Sequence, residues 1–255
     1  MSNKEQNIKS KNRVQNHGEV FTPKRIVKKI LDMPTLRELS SDITATFLEP
    51  AVGEGVFLVE VLSRKLKSAE KLAQGDVVVF ENYALLSLST VYGIELLEDN
   101  AQKCVMNLYH CFYDYYLKMQ KESNAKIKKK VLDSAKLIIS NNIVQGDFLK
   151  KITSEGRPIV FSEWEPLNLN RSIKSLKVQR TEYTLESILE GTNENRYVIN
   201  PQTKNEQLDI FSGGFLDEEF DDEVGTPIID EKTFRYVPVK ITDVYKEEME
   251  ELRNE

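Results

Sequence analysis

Apolar residues recur in short blocks along this chain, and their period switches between that of a helix and that of a strand. From Lys24 to about residue 33, Ile26, Val27, Ile30 and Leu31 fall on one side of a helix. Thr22-Pro23 precedes it: Pro23 suits a first helical turn and Thr22 is predicted to cap it. A strand is predicted at about 45–51. A helix at about 54–68 follows, with Phe57, Leu58, Val61 and Leu62 as its apolar stripe. Another apolar segment, 77–89, leads into Val91-Tyr92-Gly93-Ile94-Glu95, which reads as a buried strand ending in an acid. Glu98-Asp99 then opens a long helix to about residue 122, with acids in its first turn. Its Tyr109, Phe112, Tyr113 and Tyr116 read more readily as a core stripe than as a platform for stacked bases. Two further strands are predicted, one at 143–149 with Asp147 near its end and one at 158–161 running into Ser162-Glu163-Trp164-Glu165-Pro166.

The order βαβαβ…β, with acids at strand ends, predicts an α/β fold with a parallel, doubly wound sheet. Ligands of such sheets bind outside the carboxyl ends of the strands. Three regions follow: a basic arm at 1–17, a main domain at 18–200, and a small acidic C-terminal extension at 201–255. Within the last ninety residues a helix is plausible at 182–190, strands at 196–199 and 236–241, and an acidic loop at 212–225.

Composition changes this picture little. The 255 residues are 40% hydrophobic and 30% charged, enough for a sizeable core. No apolar run approaches a membrane span and the first residues have no apolar signal region, so a cytoplasmic location is expected. Cys104 and Cys111 read as buried, reduced thiols two turns apart on one helix, and two His with two Cys predict no metal site. The net charge of −6 hides basic stretches at 1–30, 118–136 and 171–180. These suit phosphate contacts or simply solvated faces.

The candidate chemistry centres on Glu49-Pro50-Ala51-Val52-Gly53-Glu54-Gly55, between the first strand and its helix. Two glycines let the backbone reach positive φ and let a ligand come close. Glu95 is placed to accept hydrogen bonds from a ribose diol, and Asp147 from an adenine amino group, with Phe148 covering the ring. The turn is Gly-x-Gly with Leu58 where a dinucleotide loop has its third glycine, and it lacks the lysine of a P-loop. A nucleoside-like ligand without a pyrophosphate fits it better than NAD or ATP.

These segments resemble the S-adenosyl-L-methionine site of the adenine-N6 DNA methyltransferases of restriction–modification systems. Phe21-Thr22-Pro23 resembles the element that contacts the cofactor's methionine part. Glu49-Pro50-Ala51, Gly53, Gly55 and Phe57 resemble the cofactor loop, Glu95-Leu96 the ribose-binding strand end, and Asp147-Phe148 the adenine-binding turn. The resemblance spans roughly residues 17–165. It implies a Rossmann-like methyltransferase sheet, S-adenosyl-L-methionine as cofactor, DNA as partner, and a specificity or restriction subunit beside it. It also implies a catalytic Asn/Asp-Pro-Pro-aromatic element after the fourth strand, which this sequence lacks. Ser162, Glu163 and Trp164 occupy that slot, with Trp164 to stack on a base and Ser162 or Glu163 to accept from an amine. Two alternatives stand beside DNA methylation: a non-catalytic subunit that binds the cofactor and a partner, and an RNA or protein methyltransferase.

Overall fold

The computed structural model describes residues 22–169, 173–192 and 233–252. Phe21, the basic arm at 1–17, the strand predicted at 196–199 and the acidic loop at 212–225 lie outside the described residues.

The chain opens with α1 (Lys24–Leu31) and α2 (Pro34–Ser41), then β1 (Phe47–Glu49), α3 (Val56–Ala73), α4 (Val77–Leu88) and β2 (Val91–Glu95). α5 (Glu98–Glu122), α6 (Lys129–Asn142) and β3 (Ile143–Asp147) follow. β1 pairs in parallel with β2, and β2 in parallel with β3. Helix-bearing crossovers are what parallel neighbours require. The two-residue β4 (Ile152–Thr153) closes the far edge antiparallel to β3.

Alternation of side chains across the sheet divides the core. Gly93 faces the helices: a Cβ there would meet Leu58 and Ile143 at 3.1 Å. Behind it lies a large core built from Leu58, Leu62 and Leu66 of α3, Phe80 and Leu85 of α4, and Leu108, Phe112 and Tyr116 of α5. Phe112 and Tyr116 are therefore core residues, ring on ring at 6.1 Å. Tyr92, Ile94 and Val144 point the other way and pack on Ile159, Phe161 and Leu185.

That second face differs from the doubly wound expectation. The segment predicted as a fourth parallel strand is β5 (Val160–Pro166), which pairs antiparallel with β6 (Lys177–Thr184), and β6 pairs with β8 (Val239–Lys240). β5 thus belongs to a separate three-stranded sheet, and the length of the link fixes its antiparallel sense to β6. Between β5 and β6 the described structure holds only a short 3-10 turn, Ile173–Ser175, too little chain for a parallel crossover. The predicted helix at 182–190 is shortened to α7 (Leu185–Glu190), because Tyr183 and Thr184 still belong to the strand. Thr184 caps that helix, its hydroxyl accepting from the Ser187 amide at 3.1 Å.

β7 (Thr233–Tyr236) and β9 (Met249–Leu252) form a separate antiparallel pair. Between them Ile241 and Val244, in the 3-10 segment Ile241–Lys246, are buried in the main core. A second correction concerns the start: Pro23, with ψ 139, is itself the N-cap of α1, and exposed Thr22 makes no side-chain cap.

Candidate functional site

Three parallel strands end in three carboxylates: Glu49 on β1, Glu95 on β2 and Asp147 on β3. The sheet thus presents an acidic rim at its carboxyl edge, directly beside the glycine loop. Glu95 is buried, at 7% exposure, and anchors that loop: its Oε2 accepts the Gly53 amide at 2.7 Å. Its Oε1 accepts from the Leu97 backbone amide at 3.0 Å and from the Asn100 side-chain Nδ2 at 3.4 Å. Burial pushes the Glu49 carboxyl above its ordinary value. Asp147 goes the opposite way. The Lys150 amide, backed by the Lys150 ammonium and the Leu149 amide, holds its carboxyl below the usual range. Asp147 is therefore a settled anion, turned into its own loop by bonds of 3.0 and 3.1 Å to those amides. Phe148 is half-buried against the Ile94–Val144 cluster.

The loop is bent by Gly53 at φ 56 and Gly55 at φ 85. Gly53 borders open space, with nothing within 4 Å of an added Cβ. Gly55 is the N-cap of α3 and brings no capping side chain to its first amides. Pro50 and Ala51 are exposed on the approach, and Phe57 is half-buried in the first turn. Leu96 is exposed just past Glu95.

Thr22-Pro23 leads into α1, which lies along α3. The Arg64 guanidinium donates to the Leu31 carbonyl at 2.9 Å and pairs with Asp32 at 2.9 Å. Lys24 and Val27 share a groove with Val56 and Val59. The entry to α1 thus reaches the first turns of α3, next to the loop.

The rim suits a ligand rich in hydrogen-bond donors and positive charge. It disfavours phosphates, because Glu49, Glu95 and Asp147 would repel them. Among the described residues no group of three His, Cys, Asp or Glu is arranged for a metal ion, and no helix is long and apolar enough to cross a membrane.

The three residues in the catalytic slot part company. Trp164 is 4% exposed, donates its indole N–H to Asn142 at 3.1 Å, and has the Arg180 guanidinium over its ring at 5.1 Å. Neither face is open to a base. Ser162 is buried and accepts from Arg180 Nε at 2.9 Å, while its carbonyl accepts from the Tyr92 hydroxyl at 2.8 Å. Glu163 is exposed and lines a cleft of about 320 Å³ with Leu48, Tyr92, Phe161 and Tyr183. Strand alternation explains the split: 162 and 164 face the core and 163 does not.

The hub that claims Ser162 and Trp164 was not foreseen from the sequence. Arg180 also pairs with Glu182 at 2.7 Å and Glu247 at 2.9 Å and donates to Asn141 at 2.6 Å. Desolvation raises the Glu182 carboxyl despite that arginine. Some lysines of the described basic stretches are spent as well. Lys118 pairs with Glu70, Lys128 with buried Glu81, Lys130 with Asp243 and Lys174 with Asp76. α5 starts beside the site and runs for 25 residues, about 37 Å at 1.5 Å per residue. The 118–130 lysines therefore lie at the end remote from the loop. Arg171 lies outside the described residues.

Missed too was the stripe on α5 that grips the loop. Lys103 pairs with Glu54 at 3.1 Å, and Asn107 donates to the Glu54 carbonyl at 2.8 Å. Cys104 lies so close that a Cβ on Gly55 would fall 2.8 Å from its Sγ. Burial pushes both thiols up, that of Cys111 to about 12. The spacing 100, 103, 104, 107 is one helix face, but nothing in the sequence says what that face touches.

The family model described as N-6 DNA methylase matches residues 7–157, more than half of the chain. No curated protein and no solved structure matches the chain.

Proposed function

We propose that this chain, which belongs to the N-6 DNA methylase family, is a methyltransferase of adenine N6 in DNA. It would use S-adenosyl-L-methionine, as the methylase subunit of a restriction–modification or defence system. The observation that carries the reading is the acidic rim with its anchored loop: Glu95 Oε2 on the Gly53 amide at 2.7 Å, between Glu49 and Asp147.

The cofactor supplies a methyl group activated on a sulfonium centre. The chain's own residues do the rest. Glu95 accepts from Gly53, Leu97 and Asn100, which leaves about one of a carboxylate's four acceptor positions for a ribose hydroxyl. Asp147 accepts from the adenine amino group and Phe148 lines that end. Open space at Gly53 admits the ligand against the backbone. The rim's negative charge favours a sulfonium and an ammonium. The resemblance assigns the methionine end to Phe21-Thr22-Pro23. Methyl transfer to an amine calls for alignment more than for acid–base chemistry. Glu163, at the aromatic cleft of Tyr92, Phe161 and Tyr183, is the member of the slot trio left free to accept from the target amine.

The test is calorimetric binding of S-adenosylhomocysteine, followed by transfer of tritiated methyl to adenine-rich DNA, alone and with neighbouring gene products. Binding that is lost in Asp147→Asn, with label on DNA, supports the reading. Label on RNA or protein but not on DNA would overturn it.

One observation favours a second reading. With Ser162 and Trp164 held by Arg180, Asn142 and Tyr92, this chain would be a non-catalytic subunit that binds the cofactor and a partner. That reading predicts binding without turnover until the partner is added.

A further inference from the structure

Three anchors on α5 and one on β2 hold the glycine loop, and they are not equal. Glu95 holds the Gly53 amide from the side of the rim. The Lys103–Glu54 pair is open to solvent, with 52% and 26% of the two side chains exposed. Exposed pairs of that kind contribute little and fade with salt. Cys104 sets only the closest approach of Gly55. The remaining anchor, Asn107, acts on the backbone itself.

We infer that Asn107 is a positioning residue for the cofactor loop: its amide locks the peptide between Glu54 and Gly55 in one of two orientations. The inference rests on the reading of this loop as a cofactor site. The Glu54 carbonyl accepts from Asn107 Nδ2 at 2.8 Å, and the Gly55 amide of the same peptide donates to the Val52 carbonyl at 2.9 Å. Both ends of one peptide unit are therefore tied. A flip of that unit breaks both bonds together. The flip is sterically cheap where glycine follows, because Gly55 takes positive and negative φ alike. Without Asn107 the three-residue turn back to Val52 still opposes it, but at the amide end alone. A ligand that binds one orientation then has to select it from a mixture, and its apparent affinity falls by the populated fraction.

Asn107 lies on an exposed turn of α5, so its replacement leaves the core intact. The variants are Asn107→Leu, which removes the donor, Asn107→Gln, which keeps one on a longer arm, and Lys103→Gln as the comparison. The first readout needs no ligand: amide exchange of the peptide covering 52–57, followed by mass spectrometry. Asn107→Leu should speed exchange there roughly 2- to 10-fold, the range of one net hydrogen bond, with the melting temperature within about 2 °C of the parent. Asn107→Gln should recover most of the protection, and Lys103→Gln should change exchange less than about 2-fold. The second readout is calorimetry with S-adenosylhomocysteine, where Asn107→Leu should weaken binding by a similar factor. Unchanged exchange in Asn107→Leu, or an equal effect of Lys103→Gln, overturns the inference. If the parent protein binds no S-adenosylhomocysteine, the cofactor reading falls, and the exchange arm still decides the role of Asn107 on the loop.

Discussion

Gly53 and Gly55 offer a controlled comparison within one loop. Both have positive φ, 56 and 85, so alanine at either pays a backbone cost of roughly 1–2 kcal/mol. They differ in what a methyl would meet. At Gly53 nothing lies within 4 Å. At Gly55 a Cβ would stand 2.8 Å from Cys104 Sγ and 3.3 Å from Cys104 Cα. Sulfur and backbone of a buried helix cannot both step aside, so overpacking adds about 1–3 kcal/mol. Gly53→Ala should therefore destabilise by about 1–2 kcal/mol and Gly55→Ala by about 2–5 kcal/mol. Urea unfolding at pH 7, followed by far-ultraviolet circular dichroism, measures both. Cys104→Ala separates the two causes. Removing Sγ relieves the overlap but not the φ, so the double variant should be more stable than additivity predicts, by about 1 kcal/mol or more. Equal costs for the two glycines, or strict additivity of Gly55→Ala with Cys104→Ala, would refute the claim that α5 sets the loop by contact.

Four further outcomes follow from the geometry. Lys65 is fully buried, and burial outweighs the Asp42 charge that favours its ammonium. It donates to the Asp42 and Ala45 carbonyls and to the Thr90 hydroxyl, and burial lowers it to about 8. The unfolded chain then holds more protons than the folded one between about pH 8 and the ordinary lysine value, so stability rises with pH across that window; a flat urea profile there, or a Lys65→Met variant with the same slope, would count against it. Arg180→Met leaves Glu182 and Glu247 without their cation and should cost about 3–5 kcal/mol, read as a loss of urea midpoint. Trp164→Phe loses the Asn142 bond and should cost about 1 kcal/mol with S-adenosylhomocysteine affinity unchanged; a selective loss of methyl transfer would restore Trp164 to the chemistry. Glu163→Gln should leave cofactor affinity and stability alone and lower methyl transfer, and equal turnover would remove Glu163 from the site.

The parts of the fold visible in the sequence are those governed by local chemistry. The blocks around Leu48, Ile94 and Val144 announce strands because their runs are short and apolar, and the glycine turn announces itself through two residues that tolerate positive φ. Glu95 and Asp147 were legible as strand-end acids because a short apolar run stops at each of them. Whether β5 runs parallel or antiparallel was not legible, since it depends on its partner, Lys177–Thr184, and on the length of chain between them. The fate of Ser162 and Trp164 was hidden for the same reason. Arg180 lies opposite Trp164 only once the register is fixed, and its partners Asn141 and Glu247 come from distant elements. The α5 grip on the loop needs a helix angle that no periodicity supplies.

β1 has one strand neighbour, β2, among the described residues. Because the Phe47 amide donates to the Thr90 carbonyl, alternation turns the Leu48 amide and carbonyl outward, on a strand of three residues followed by Pro50. Such an edge is poor at recruiting further copies. Templated growth needs a run of about six residues without proline, and short, proline-ended edges are a common guard against it. The brevity of β1 thus bears on how the protein behaves at high concentration: this margin of the sheet should not seed fibres.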